Sequence, residues 1–275
     1  EVAALGPDAE GVEIGDLRLV FPWIGCGQCA RCAEGNENDC IKMRTTGVFS
    51  PGGYADHIMV PDAKYLLDIT GIDPYYACTL ACAGITSYSA LKKVHPLGAD
   101  DKVVIIGAGG VGLTGIGIAR KYLPDHELIV VDLDSEKLAH ARQAGADHTI
   151  NPKDEDALAR IRELTGAGAG AIVDFVCSGA TAKLGFDATR KGGRYIGVGL
   201  YGGEITIPTV MLPARNLTMR GSYVGKLDEM IELLDLVRSG GITPIPIATR
   251  PMSRVTETLQ DLVDGKIVGR VVVLP

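Results

Sequence analysis

Lys102-Val103-Val104-Ile105-Ile106 runs directly into Gly107-Ala108-Gly109-Gly110-Val111-Gly112, and Gly110 to Leu123 then carries helical spacing. An unbroken apolar run of this kind reads as a strand buried on both faces. A strand that turns at once into a helix packed on it leaves few architectures open. Each glycine of the G-x-G-x-x-G motif answers a steric demand. Gly107 permits the tight turn, Gly109 lets the backbone approach a pyrophosphate, and Gly112 lets the helix lie close on the strand. Gly110 and Val111 open that helix, whose N-terminus faces the phosphate charge.

The same alternation continues downstream. Leu128 to Asp132 reads as a strand. A helix from Glu136 to Ala144 follows, with Ser135 as N-cap and Gly145 as terminator. His148–Ile150, Ala171–Val176, Arg194–Val198 and Leu217–Gly221 read as further strands, with helices over Asp154–Leu164 and near Thr181–Thr189. This order predicts an α/β Rossmann fold, a doubly wound parallel sheet, over about residues 85–225. The 36 glycines among 275 residues suit its many tight strand-to-helix turns.

The flanking zones read differently. Residues 1–84 hold short β-like runs such as Arg18–Phe21 and His57–Val60, separated by turn residues. Residues 226–275 hold a helix over Leu227–Arg238, a Pro-rich connection, a helix near Ser253–Val263 and a terminal strand, Gly269–Leu274. The chain thus reads as three zones, with room for two domains. The net charge of −7 argues against nucleic acid as the main partner. The uncharged stretch Val103–Ala119 holds six glycines and is no membrane span. With no secretory signal, the chain is expected to be cytoplasmic.

Asp132 lies twenty residues after Gly112, at the end of the second strand. A carboxylate there accepts hydrogen bonds from ribose hydroxyls and repels a 2′-phosphate. Leu133 and Asp134 follow, with no arginine beside them to receive such a phosphate. The cofactor is therefore expected to be NAD rather than NADP.

Cys26, Cys29, Cys32 and Cys40 form a C-x2-C-x2-C-x7-C pattern. Two-residue gaps let neighbouring thiolates converge on one ion, and the longer loop brings in a fourth. Four protein sulfurs leave no open position, so the zinc they suit is structural. Disulfides fit poorly with a reducing compartment. An iron–sulfur cluster would place the fourth cysteine after three residues and before proline, whereas here the gap is seven and Ile41 follows.

The two motifs together resemble the zinc-dependent alcohol dehydrogenases of the medium-chain dehydrogenase/reductase superfamily. The resemblance covers essentially the whole chain. It is carried by the four cysteines, Gly52-Gly53-Tyr54-Ala55, Cys82-Ala83-Gly84-Ile85-Thr86-Ser87-Tyr88, Gly107 to Gly112 with Asp132, and Gly269-Arg270-Val271-Val272. It implies a GroES-like β-rich catalytic domain built from residues 1–84 and 226–275 beside the Rossmann domain of 85–225. It also implies reversible NAD-dependent oxidation of a small alcohol to an aldehyde or ketone. In that family a second zinc polarises the alcohol oxygen and lowers its pKa before hydride transfer. That zinc is held by Cys, His and Cys, the last matching Cys82. Arg270 matches a residue that contacts the pyrophosphate. Val198, Gly199 and Leu200 match a loop that meets the nicotinamide carboxamide. Trp23 reads as either pocket wall or core.

The resemblance also marks a departure. The first Cys ligand, the proton-relay hydroxyl and the Gly-His-Glu motif would all precede Glu1, so a GroES-like domain truncated at its N-terminus is expected. Cys78 is four residues from Cys82 and would share a helix face with it, yet a substitute site built from Cys78, Cys82 and His57 is not expected. Cys177 reads as a packing residue, and His95 takes no role. Polyol, threonine or aldehyde dehydrogenases, or an NAD-binding subunit without turnover, are the alternative readings. Homodimers or homotetramers are the family habit.

Overall fold

A computed structural model describes residues 1–275. The strands are β1 (Arg18–Val20), β2 (Leu66–Asp68), β3 (Val103–Ile106), β4 (Leu128–Val131), β5 (His148–Ile150), β6 (Ala169–Asp174), β7 (Thr189–Gly197), β8 (Thr218–Gly221), β9 (Ile247–Pro251) and β10 (Arg270–Leu274). The helices are α1 (Ala30–Ala33), α2 (Pro74–Thr79), α3 (Ile85–Lys92), α4 (Gly110–Tyr122), α5 (Ser135–Gln143), α6 (Ala157–Thr165), α7 (Gly179–Ala188), α8 (Met211–Arg215), α9 (Leu227–Arg238) and α10 (Val255–Val263). The chain divides into two compact units. One comprises Glu1–Ile85, Val224–Gly240 and Pro246–Pro275, the other Thr86–Tyr223 and Gly241–Ile245.

The second unit contains a six-stranded parallel sheet in the order β5-β4-β3-β6-β7-β8. The order reverses between β3 and β6, so the loops after these strands diverge and leave a crevice at their C-terminal ends. Every residue of β3, β4 and β6 is buried, as the apolar runs require. Val104, Ile106, Ile129, Ile161, Ile172 and Tyr195 meet in one core cluster.

Local chemistry shifts several element boundaries from their sequence expectation. Asp134, rather than Ser135, caps α5, because its carboxylate accepts from the amides of both Glu136 and Lys137. Helix α6 starts after Asp156, which caps it, and α7 starts after Ser178, which forms a capping box with Thr181. Strand β7 starts at Thr189, five residues before the expected Arg194, because β6 offers a partner down to Ala169. His57–Val60 is not a strand. Met59 is 88% exposed, no neighbouring strand pairs with the segment, and β propensity without a partner does not form a ladder. Strand β9 lies in what reads as a Pro-rich connection, and pairs in parallel with β10.

The first unit has less regular structure. Strands β1 and β2 form an antiparallel pair, and β9 and β10 a parallel one. Helix α9 buries Met230, Leu233 and Leu234, and its Arg238 guanidinium donates to the carbonyls of Asp68 and Thr70. Between α2 and α3 the helical path widens into a π turn over Leu80–Gly84. That turn changes the four-residue spacing, so Cys78 and Cys82 do not follow the expected α-helical register.

The N-terminal end of β3 is tied down by an ion pair. Arg190 Nε and Nη2 each donate to Asp101 at 2.5 Å, and Asp101 also accepts from the Gly98 amide at 2.7 Å. The guanidinium holds the Asp101 carboxyl below its ordinary value. A lowered folded pKa adds stability above the unfolded value, and that stability is lost as pH falls through the folded one. Asp101→Asn is expected to cost about 2 kcal/mol at pH 7 in urea unfolding. The gap to wild type should narrow as pH falls below the ordinary carboxylate range and through the lowered folded value, because both states are then protonated.

Candidate functional site

The first unit carries the cysteine loop. Its entry and exit are closed by backbone hydrogen bonds from Arg44 to Ile24 and from Thr46 to Pro22. Gly27 and Gly35 have φ of 74° and 75°, which lets the chain reverse twice within the loop. Gly25 has no room for a side chain, since a Cβ would lie 2.5 Å from Cys32 Sγ.

These turns bring the Cys26, Cys29, Cys32 and Cys40 sulfurs within 4.8 Å of one another. Individual separations are 3.5 Å for Cys29–Cys32, 3.8 Å for Cys29–Cys40 and 4.0 Å for Cys26–Cys32. A zinc–sulfur distance of about 2.3 Å implies tetrahedral edges of about 3.8 Å, so the quartet fits a zinc ion. The amides of Cys26 and Lys42 donate to Cys40 Sγ, and that of Gln28 to Cys26 Sγ, as suits anionic sulfur. The Gln28 amide is the main cause drawing the Cys26 thiol down to about 6, while burial pushes Cys32 up to about 11.

Glu37 closes the loop from behind, a role that its sequence position alone does not reveal. Its Oε2 accepts from the Gly25 amide at 2.7 Å and from the Tyr65 hydroxyl at 2.7 Å. Burial, followed by this carboxylate, pushes the Tyr65 phenol up to about 12, so the hydroxyl keeps its proton and donates. The one hint in the sequence is an acidic residue inside a cysteine loop.

The second unit carries the glycine motif. Gly107 turns with φ of 93°, and α4 begins at Gly110 behind the N-cap Gly109. A Cβ on Gly112 would overlap the Gly107 carbonyl oxygen. A Cβ on Gly109 would meet nothing within 4 Å, so this position faces open space where a phosphate can approach. Asp132 follows directly after β4. Its Oδ2 accepts from the Ala108 amide at 2.6 Å and its Oδ1 from the Asp134 amide at 2.9 Å. The acidic strand end and the glycine turn therefore lie side by side, as a dinucleotide cradle requires. The amides of Val198 and Gly199 both donate to the Asp174 carbonyl, while Leu200 is 87% exposed.

The remaining candidates lie in the first unit. Arg270 opens β10 and lines a cavity of about 660 Å³ with Cys78, Tyr54 and Leu259. Cys82 is exposed on the π turn, and the Trp23 indole N–H donates to the neighbouring Ala81 carbonyl at 2.8 Å. Trp23 itself is buried. The cysteine quartet is the one group of three or more His, Cys, Asp or Glu side chains whose ligand atoms converge. His57, Cys78 and Cys82 are not members of that quartet.

A glycine turn with an acidic strand end, in a doubly wound sheet, defines a dinucleotide-binding fold. Comparisons with known proteins narrow the class. The zinc-binding dehydrogenase model matches residues 110–239, and the alcohol dehydrogenase GroES-like domain model matches residues 1–70. A protein named NAD-dependent alcohol dehydrogenase, from Sulfurisphaera tokodaii, is 33% identical over 100% of this chain and 79% of its own length. The crystal structure of the alcohol dehydrogenase from the archaeon Aeropyrum pernix superposes with a TM-score of 0.90 at 30% identity, covering 99% of this chain and 80% of that one. The D-arabinose dehydrogenase from Sulfolobus solfataricus superposes at 0.82 with 26% identity, over 88% of this chain and 75% of that one. The chain belongs to the zinc-binding alcohol dehydrogenase family.

Glu37→Ala leaves the Gly25 amide and the Tyr65 hydroxyl without their acceptor. A loss of about 2 kcal/mol in unfolding free energy is expected by urea titration.

Proposed function

We propose that the protein reversibly oxidises an alcohol to an aldehyde or ketone with NAD as hydride acceptor. The reading is carried by Asp132 against the glycine turn, in a chain similar over its whole length to NAD-dependent alcohol dehydrogenases. The substrate carbon gives a hydride to the nicotinamide, and the hydroxyl proton leaves to solvent.

Each residue has a part in this reading. Gly107, Gly109, Gly110, Val111 and Gly112 cradle the pyrophosphate. Asp132 takes the ribose hydroxyls, since a carboxylate has about four lone-pair positions and only two are used within the chain. Val198, Gly199 and Leu200 meet the carboxamide, and Arg270 meets the pyrophosphate. Cys26, Cys29, Cys32 and Cys40 hold a structural zinc. Cys82 is the ligand of a catalytic zinc by resemblance. Thr86–Tyr223 with Gly241–Ile245 serve as the NAD-binding domain, and Glu1–Ile85, Val224–Gly240 and Pro246–Pro275 as the catalytic domain. No helix is long and apolar enough to cross a membrane. A cytoplasmic homodimer or homotetramer accords with the family.

The D-arabinose dehydrogenase likeness supports a sugar or polyol hydroxyl as the second choice of substrate. A substrate panel read at 340 nm with the natural protein tests both. Reduction of NAD by simple alcohols is expected. Turnover confined to sugars or polyols selects the second reading, and a fully metallated protein that oxidises no alcohol overturns the reaction.

Two further outcomes are expected. Asp132→Ser should reduce the NAD-to-NADP preference in kcat/KM by about tenfold or more. Equal use of both cofactors by the unaltered protein would overturn the NAD assignment. Dialysed protein should keep about one zinc per quartet by atomic emission, and Cys40→Ser should lose it.

A further inference from the structure

Asp174 ends β6 with a fully buried carboxylate, in a strand otherwise made of apolar residues and glycine. A buried carboxylate is costly unless its oxygens accept hydrogen bonds. Here they are used to fix a loop. Oδ1 accepts from the amides of Val176 and Cys177, both at 2.9 Å, and Oδ2 accepts from the buried Tyr195 hydroxyl at 2.9 Å. Cys177 has φ of 54°, a left-handed conformation uncommon for a residue with a side chain. The carboxylate holds the amide of that same residue.

The fixed loop supports the cradle from two sides. Val176 Cγ2 packs on Gly107, where a Cβ would lie 2.7 Å away. The Phe175 ring packs on Gly115, where a Cβ would lie 2.9 Å from Cζ. On the other side, the Asp174 carbonyl accepts from Val198 at 2.9 Å and Gly199 at 3.1 Å, and the Val176 carbonyl accepts from Tyr201 at 3.2 Å. Gly199 lies so close that a Cβ would overlap the Val176 carbonyl. One residue therefore ties the loops after β6 and β7 together, both at the C-terminal edge where such sheets bind ligands.

We infer that Asp174 is a positioning residue for the nicotinamide half of the cofactor, acting through the 175–178 loop and the 198–200 segment. It touches neither substrate nor reacting atoms. The inference rests on the NAD reading given above, and adds a residue that the glycine motif does not contain.

The test compares NADH with ADP-ribose, which lacks the nicotinamide, by calorimetry on the full chain. Asp174→Asn keeps the side-chain shape but removes the charge that holds two amides and a hydroxyl. NADH binding is expected to weaken about tenfold. ADP-ribose binding should change by no more than about twofold. Equal weakening of both ligands, or unchanged NADH affinity, overturns the inference. Tyr195→Phe removes only the Oδ2 partner and should shift the NADH-to-ADP-ribose ratio in the same direction by less. If Asp174→Asn does not fold, that ratio decides, and an unchanged ratio overturns the inference. Failure of the unaltered protein to bind NADH overturns the cofactor reading and this inference with it. Wild-type binding with an indifferent variant overturns only the role of Asp174.

Discussion

The nucleotide unit depends on a backbone contact that only glycine permits. The first turn of α4 lies against the Gly107 carbonyl so closely that Gly112 can carry no Cβ. This contact sets how far the helix stands from the sheet. It also fixes where the helix N-terminus points and how much room remains beside Gly109. Phe175 and Val176 reach in over the same glycines. The apolar burial of β3, β4 and β6 supplies driving force, but it is non-directional. The glycine contact and the Asp174 hydrogen bonds turn that force into one geometry.

The first unit solves a different problem. Its two sheets have two strands each, and a pair of strands is marginal by itself. Order in the cysteine loop comes instead from convergent sulfurs, two left-handed glycines and the Glu37 carboxylate between Gly25 and Tyr65. Where strands are few, convergent side chains and a charged acceptor fix a loop that a larger sheet would fix elsewhere.

The parallel sheet was legible because strands buried on both faces leave continuous apolar runs, as at Val103–Ile106 and Leu128–Val131. The cysteine quartet was legible because ligand spacing is a local property. His57–Val60 misled, since β-branched and apolar residues declare a preference but not a partner. Strand β9 was hidden by prolines, although its partner β10 was plain. Asp134 and Asp156 show that helix starts are decided by which side-chain oxygen reaches the free amides, a matter of one rotamer. Within the candidate site, Asp132 announced itself by its distance from Gly112. Asp174, Tyr195 and Glu37 did not, because their partners lie twelve or more residues away or depend on a turn that sequence does not specify.

The first unit is discontinuous, drawing on Glu1–Ile85, Val224–Gly240 and Pro246–Pro275. During synthesis its early segment leaves the ribosome well before β9 and β10 exist, while most of the nucleotide unit is already complete. At about 5–20 residues per second, about 8–30 seconds separate the two parts. Through that interval the early segment waits without its later partners, among them Arg238, whose guanidinium takes the Asp68 and Thr70 carbonyls. The order of assembly is thus written into the connectivity. The four cysteines all lie in the early segment, so their sulfurs can converge before the unit that contains them is complete.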